Sequence, residues 1–140
     1  MHLSTRTRYG MHLMLALARQ HGEKPVELSK VANNENISAK YLSLIVIPLK
    51  AAGLIRSVRG AKGGYYLTKK PEKISVREIV QCLEGEIHLV SCVRNPNLCA
   101  NSPDCSLRKL WKQIEDNLLR SLNAKTLQDL MDIDLKQVNI

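Results

Sequence analysis

The chain has 140 residues, 44% of them hydrophobic and 24% charged, and its net charge of +8 is lopsided: residues 1–70 carry 12 Lys/Arg against three acids, residues 71–140 carry 9 against 10. This length and apolar content exclude a chain that stays disordered for want of a core and point to one domain of ordinary size with an appendage. No run approaches about 18 uncharged apolar residues, and the apolar stretch Met11 to Ala18 meets Arg19 with no small-residue cleavage pattern, so no membrane association is expected and the address read is cytoplasmic.

Residues 5–21 predict a helix, capped by Ser4 or Thr5 and carrying Tyr9, Leu13 and Leu17 on one face, with Gly22 as its stop. After Pro25, Val26 to Ala32 predicts a short second helix, and Asn33-Asn34-Glu35-Asn36 a polar turn. Ser38 is an N-cap for a third helix running to about Ala52, with Tyr41, Leu42, Ile45 and Leu49 on its face and Pro48 expected to bend or rearrange it. Leu54 to Val58 and Tyr65 to Thr68 predict two strands around the tip Arg59-Gly60-Ala61-Lys62-Gly63-Gly64. Ser75 and Glu78 form a capping-box pattern for a fourth helix ending at Glu84, with Gly85 as its stop. Residues 86–104 lack periodicity and are expected as a loop. From Ser106 a long stripe of Leu107, Leu110, Trp111, Ile114, Leu118 and Leu122 returns at helical spacing. So apolar a stripe at the edge of a small domain serves the core or a dimer seam, and the seam is preferred. Thr126 and Asp129 cap a last short helix, with the tail from Ile133 to Ile140 expected to be frayed or lightly docked.

The fold class expected is therefore mainly α with a small β-hairpin. Three helices followed by a basic hairpin is the order of a winged helix-turn-helix. Such a fold places the start of its third helix against base edges, here Ser38, Lys40 and Ser43. Tyr41 belongs more to the core. Arg59 and Lys62 on the hairpin tip suit phosphate or a narrow minor groove, and Gly63-Gly64 allow a close backbone approach. Arg6 and Arg8, at the start of the first helix, are expected phosphate contacts. A +9 front half favours a polyanion as partner.

The cysteines divide into one and three. Cys82, among apolar neighbours, reads as a buried structural thiol. Cys92, Cys99 and Cys105 follow a C-x6-C-x5-C pattern in and at the end of the loop. Three thiolates on a flexible loop can meet at one soft metal: an iron–sulfur cluster, zinc or Cu(I). The spacing does not choose among these, although the absence of a C-x2-C pair argues against a zinc knuckle. Free thiols, or a disulfide with one cysteine over, are the alternatives. No base is oriented toward a thiol, so an enzyme is not expected.

Four stretches carry a resemblance. They are Met1 to Gly10 (MHLSTRTRYG), Ile37-Ser38-Ala39-Lys40-Tyr41-Leu42, Ala52-Gly53-Leu54-Ile55, and Ser57-Val58-Arg59-Gly60-Ala61-Lys62-Gly63-Gly64-Tyr65. With Leu83-Glu84-Gly85, Leu110-Trp111 and Thr126 to Leu130, they resemble the IscR/NsrR/CymR family of bacterial regulators over nearly the whole chain. The resemblance implies a homodimer joined by the long C-terminal helix and bound to a pseudo-palindromic double-stranded DNA operator. It also implies that Cys92, Cys99 and Cys105 hold a [2Fe-2S] or [4Fe-4S] cluster. Two departures stand out. Ser43-Leu44 replaces a Glu-Gln pair whose Glu selects bases in IscR-like members, so their operator does not carry over. The fourth-ligand positions of IscR-like and NsrR-like members hold Arg108 and Arg8 here, which leaves His88, Asp104, Ser106 or an outside ligand.

The expected organisation is a DNA-binding domain over 1–85, a cysteine loop and cluster site over 86–105, and a dimerisation helix and tail over 106–140. Cluster assembly would order residues 88–105 and shift the spacing of the two winged units. A coupling of about 1–3 kcal/mol would change DNA affinity about 5- to 150-fold. The competing expectation is a zinc-stabilised or metal-free winged-helix repressor governed by a protein partner or a small molecule.

Overall fold

The computed structural model describes residues 2–138, with side chains through residue 135. Helix α1 (Thr5–Arg19) starts at Ser4, whose hydroxyl accepts from the Thr7 N–H. Helices α2 (Leu28–Glu35) and α3 (Ala39–Ala51) follow. The polar cluster after Ala32 was expected as a turn, but Asn33 to Glu35 complete α2. The turn is confined to Asn36, which sits in the left-handed region at φ 55°, where an asparagine is tolerated. Ser38 caps α3 through the Tyr41 N–H. Helix α3 runs through Pro48 without a break. The N–H that a proline lacks would have bonded the Leu44 carbonyl, and Leu44 lies on the exposed side of the helix rather than in the core.

Strands β1 (Ile55–Val58) and β2 (Gly64–Leu67) pair antiparallel, with Ile55 opposite Leu67, Arg56 opposite Tyr66 and Val58 opposite Gly64. Ile55 and Leu67 are buried and anchor the hairpin in the core, and the tip projects. Helix α4 (Val76–Glu84) opens on the expected capping box between Ser75 and Glu78. One core holds Leu13 and Leu17 of α1, Leu42 and Ile45 of α3, Ile79 of α4, and Leu127. Gly10 lets these helices approach closely: a Cβ there would stand 2.3 Å from Leu83 Cδ1 and 3.3 Å from Ile45 Cγ2.

Residues 86–104 are more ordered than a loop. Helix α5 (Ser91–Arg94) and two single-turn 3-10 segments, Pro96–Leu98 and Ser102–Asp104, fold locally, each 3-10 turn with a proline at its start. Helix α6 (Ser106–Ala124) follows for 19 residues. Helix α7 (Leu127–Val138) is longer than expected, and the tail is helical through residue 138. It docks because Leu127 is fully buried, the Leu127 N–H donates to the Ile74 carbonyl at 3.0 Å, and Asp134 pairs with Arg19. Ile140, in the tail expected to fray, lies outside the described residues.

Candidate nucleic-acid interface and cysteine segment

Helix α3 has a two-faced periodicity. Leu42, Ile45, Val46 and Leu49 face the core, leaving Lys40, Ser43, Leu44 and Ile47 on the outward stripe. Lys40 is exposed at the start of that stripe, and the Ser38 side chain is committed to its cap. The Ser43 hydroxyl donates to the Lys40 carbonyl at 2.6 Å. Tyr41 packs against the core and meets Tyr9 edge-on, at 6.0 Å between centroids. Arg8 lies over the Tyr9 ring at 4.8 Å and donates to its hydroxyl at 3.1 Å. Arg6 borders the outward side of α3, next to Leu44 and Ile47. The two N-terminal arginines and the start of α3 thus share one side of the molecule.

Arg59 and Lys62 are both exposed on the hairpin tip. Among the described residues, neither they nor Arg6 nor Lys40 belongs to an ion pair, although Arg6 attracts the Glu84 carboxylate at longer range, and this surface presents its positive charge to a polyanion. Behind the tip, Arg56 stacks over Tyr66 at 4.3 Å, and Lys50 Nζ donates to Ser57 Oγ at 3.1 Å. These two cations extend the basic surface from the end of α3 to the wing. The alternation of Leu54 to Val58 was the available signal for Arg56, since it puts Arg56 outward beside a cross-strand tyrosine.

The expected close approach of Gly63 and Gly64 has an internal cause. A Cβ on Gly64 would stand 2.5 Å from the Val26 carbonyl oxygen, and one on Gly63 would stand 2.3 Å from that of Val58. The Val26–Tyr65 bridge, with N–H to carbonyl distances of 2.8 and 2.9 Å, requires the first of these.

In the cysteine segment, Cys92 lies half-buried on α5, Cys99 is exposed after the Pro96–Leu98 turn, and Cys105 is half-buried at the start of α6. Arg108 ties the segment to α6: its Nε donates to the Cys92 carbonyl at 2.9 Å. His88 is exposed and shares a depression with His2, Leu3 and Glu86, beside the start of α1. Cys82 is half-buried, and its thiol donates to the Pro48 carbonyl at 3.1 Å; desolvation raises its pKa against the opposing pull of Arg6.

Three soft sulfur donors fit the chemistry of an iron–sulfur or zinc centre. The buried Ser102 Oγ, between Cys99 and Cys105, has no hydrogen-bond partner among the described residues and marks a place where a further polar or ionic group could be accommodated. The arrangement itself does not fit: among the described residues no three His, Cys, Asp or Glu side chains are grouped to hold a metal. A shared centre therefore requires residues 92–105 to repack. Among the described residues, no helix is long and apolar enough to cross a membrane.

A family model named Rrf2, described as iron-dependent transcriptional regulator, matches residues 3–133. The chain is 39% identical over 130 residues to the HTH-type transcriptional regulator CymR of Bacillus subtilis, covering 93% of this chain and 89% of that one. The solved structure of CymR, the global cysteine regulator of B. subtilis, is similar at a TM-score of 0.81 and 38% identity over 95% of this chain and 98% of the other. The structure of T. potens IscR is similar at a TM-score of 0.77 and 32% identity, over 100% and 92%.

Proposed function

This chain belongs to the Rrf2 family of transcriptional regulators, and we propose that it works in the cytoplasm as a homodimer that binds a pseudo-palindromic operator and takes its signal through residues 92–105. The observation that carries this is the union of the outward stripe of α3 with unpaired cations on both sides, Arg6 before it and Arg59 and Lys62 on the wing. In this role residues 1–85 grip DNA. Lys40 and Ser43 lie against base edges, Ser38 holds the helix start, Arg6 and Arg8 neutralise phosphates, and the wing enters a flanking groove. Helix α6 joins the two copies. It has no buried residue in 19, and it exposes Leu107, Leu110, Trp111 and Ile114. A second copy covering that face sets two half-sites roughly one helical turn apart.

The signal proposed is an iron–sulfur cluster held by Cys92, Cys99 and Cys105. Support comes from three soft donors within one segment, the unpartnered Ser102 Oγ, and the iron-dependent description of the family. A cluster supplies redox or ligand sensitivity when bound. What this chain's residues contribute is the lever. Arg108 and the α5 carbonyls couple the segment to the helix that spaces the two winged units. His88, placed beside His2, is a poor fourth ligand unless the segment moves. A metal-free thiol sensor is the second reading, favoured by the separation of the sulfurs as folded.

The test is iron, acid-labile sulfide and zinc content of anaerobically purified protein. DNA affinity of the same preparation is then measured before and after chelation. Iron and sulfide near stoichiometry, with affinity that changes on removal, is the expected result. Zinc without sulfide assigns a structural metal. Neither metal, even after reconstitution, eliminates the cluster and leaves the thiol sensor.

A further inference from the structure

We infer that Leu44, with Ile47 beside it, reads thymine methyl groups in the major groove, so that part of the operator half-site is recognised by apolar contact; this rests on the DNA-binding role of α3 proposed above. Leu44 is 56% exposed and Ile47 61% exposed, although four other apolar residues of the same helix are almost completely buried. The two lie on the outward stripe, one helical turn beyond Lys40 and Ser43. With Tyr41 and Pro48 they form an apolar depression, and Arg6 stands at its edge.

The charge around the depression identifies its occupant. Arg6 borders it, Lys40 and Lys50 lie on the same helix, and among the described residues no acidic side chain lines it. A second copy brought onto this face would bring its own cations against these. DNA would instead bring phosphates to them while its base edges met the centre. The polar part of the stripe is thin. The Ser43 hydroxyl, next to Leu44 in sequence, already donates to the Lys40 carbonyl at 2.6 Å. In the major groove the apolar base-edge feature is the thymine C5-methyl, and branched aliphatic side chains match it without demanding a hydrogen bond. Leu44 and Ile47 thereby become specificity-determining residues.

The experiment enriches duplexes from a random pool with the full-length chain and replaces each thymine of the enriched sequence in turn by deoxyuridine, which removes only the methyl group. One or two thymines per half-site are expected to be sensitive, each weakening binding roughly three- to fourfold on loss of the methyl, as one buried methyl group predicts. Leu44→Ala binds the thymine duplex more weakly and equalises thymine and deoxyuridine at one of those positions. Because the side chain is exposed, the variant is expected to melt like the parent, which separates a lost contact from a lost fold. Tight, sequence-selective binding with no methyl-sensitive thymine overturns the inference and leaves the regulator role intact. So does a Leu44→Ala variant that keeps the full thymine preference. A Leu44→Ser variant that falls from dimer to monomer assigns the depression to a protein contact and overturns it as well. A chain that enriches no duplex at all overturns the DNA-binding role and this inference together.

Discussion

The backbone N–H and the hydroxyl of Ser4 both donate to Glu84 Oε1, at 2.7 and 2.6 Å, closing the first turn of α1 onto the last turn of α4. Arg6 and Arg8 begin their helix from this clamp. The Ser4 hydroxyl, then Thr7, holds the Glu84 carboxyl below its usual value of 4.5. The native state therefore favours the charged form. Its contribution is full above about pH 4.5 and is lost as pH falls through the lowered native value. Glu84→Gln is expected to lower the urea midpoint at pH 7 by the equivalent of about 1 kcal/mol. The gap between parent and variant should close in acid. A gap that does not narrow at all as the pH is lowered from 4.5 to the acid limit of the folded protein would show that the clamp does not depend on the carboxylate.

Arg108 spans the junction between the cysteine segment and α6, reaching the Cys92 carbonyl at 2.9 Å and the Val93 carbonyl at 3.5 Å. Replacing it by alanine removes both donors but leaves the 19-residue helix intact. Amide hydrogen exchange across residues 91–95 should then accelerate, with α1 and α3 unchanged. Exchange that is unaltered in 91–95 would mean that the segment is held by its own turns. The variant also probes the signal route, since any effect of metal removal on DNA affinity should shrink in it.

What was legible in the amino-acid sequence was the local part. Ser38 and the Ser75/Glu78 box announce helix starts because capping needs only residues three apart. The wing was readable from its alternation and its basic, glycine-rich tip. What escaped depends on one residue's backbone conformation or on distant partners. Asn33 to Glu35 join α2 because Asn36 accepts a left-handed conformation, which the polar composition of the stretch did not reveal. Gly64 is tight because Val26, far away in sequence, bridges Tyr65. The docking of α7 follows from the pairing of Leu127 with Ile74. For the cysteines, spacing shows that three thiols can meet. Short turns at Pro96 and Pro103 decide where each sulfur stands.

Helix α6 offers the sharpest test of assembly. Leu110 and Ile114 are exposed neighbours one turn apart, so a charge at either costs the isolated chain little. In a dimer seam the same charges would be desolvated against apolar partners. Leu110→Glu combined with Ile114→Glu is expected to sediment as a folded monomer with unchanged circular dichroism. Its affinity for a two-half-site duplex should fall by about 100-fold or more, because the second half-site is no longer tethered. A double variant that remains dimeric would place the seam elsewhere.

The wing separates two kinds of cation. Arg59 follows β1 directly, at the exposed tip, and Lys62 lies on the far side of Gly60, which has φ +117° and open space where a Cβ would stand. The tip is therefore held from behind, by Arg56 on Tyr66 and by Gly64 against Val26, while its own side chains are free to enter a groove. An arginine inserted in a narrow minor groove gains most where A·T pairs narrow it, whereas a lysine on phosphate gains equally everywhere. Arg59→Ala should weaken binding more on a duplex with A·T flanks than on one with G·C flanks. Lys62→Ala should weaken both alike and reduce the slope of log affinity against log salt by roughly 1. Fluorescence anisotropy titrations at several salt concentrations, on duplexes differing only in their flanks, measure both quantities. Equal losses for Arg59→Ala on the two flanks would move that arginine from groove to backbone, and an unchanged slope for both variants would take the wing off the DNA altogether.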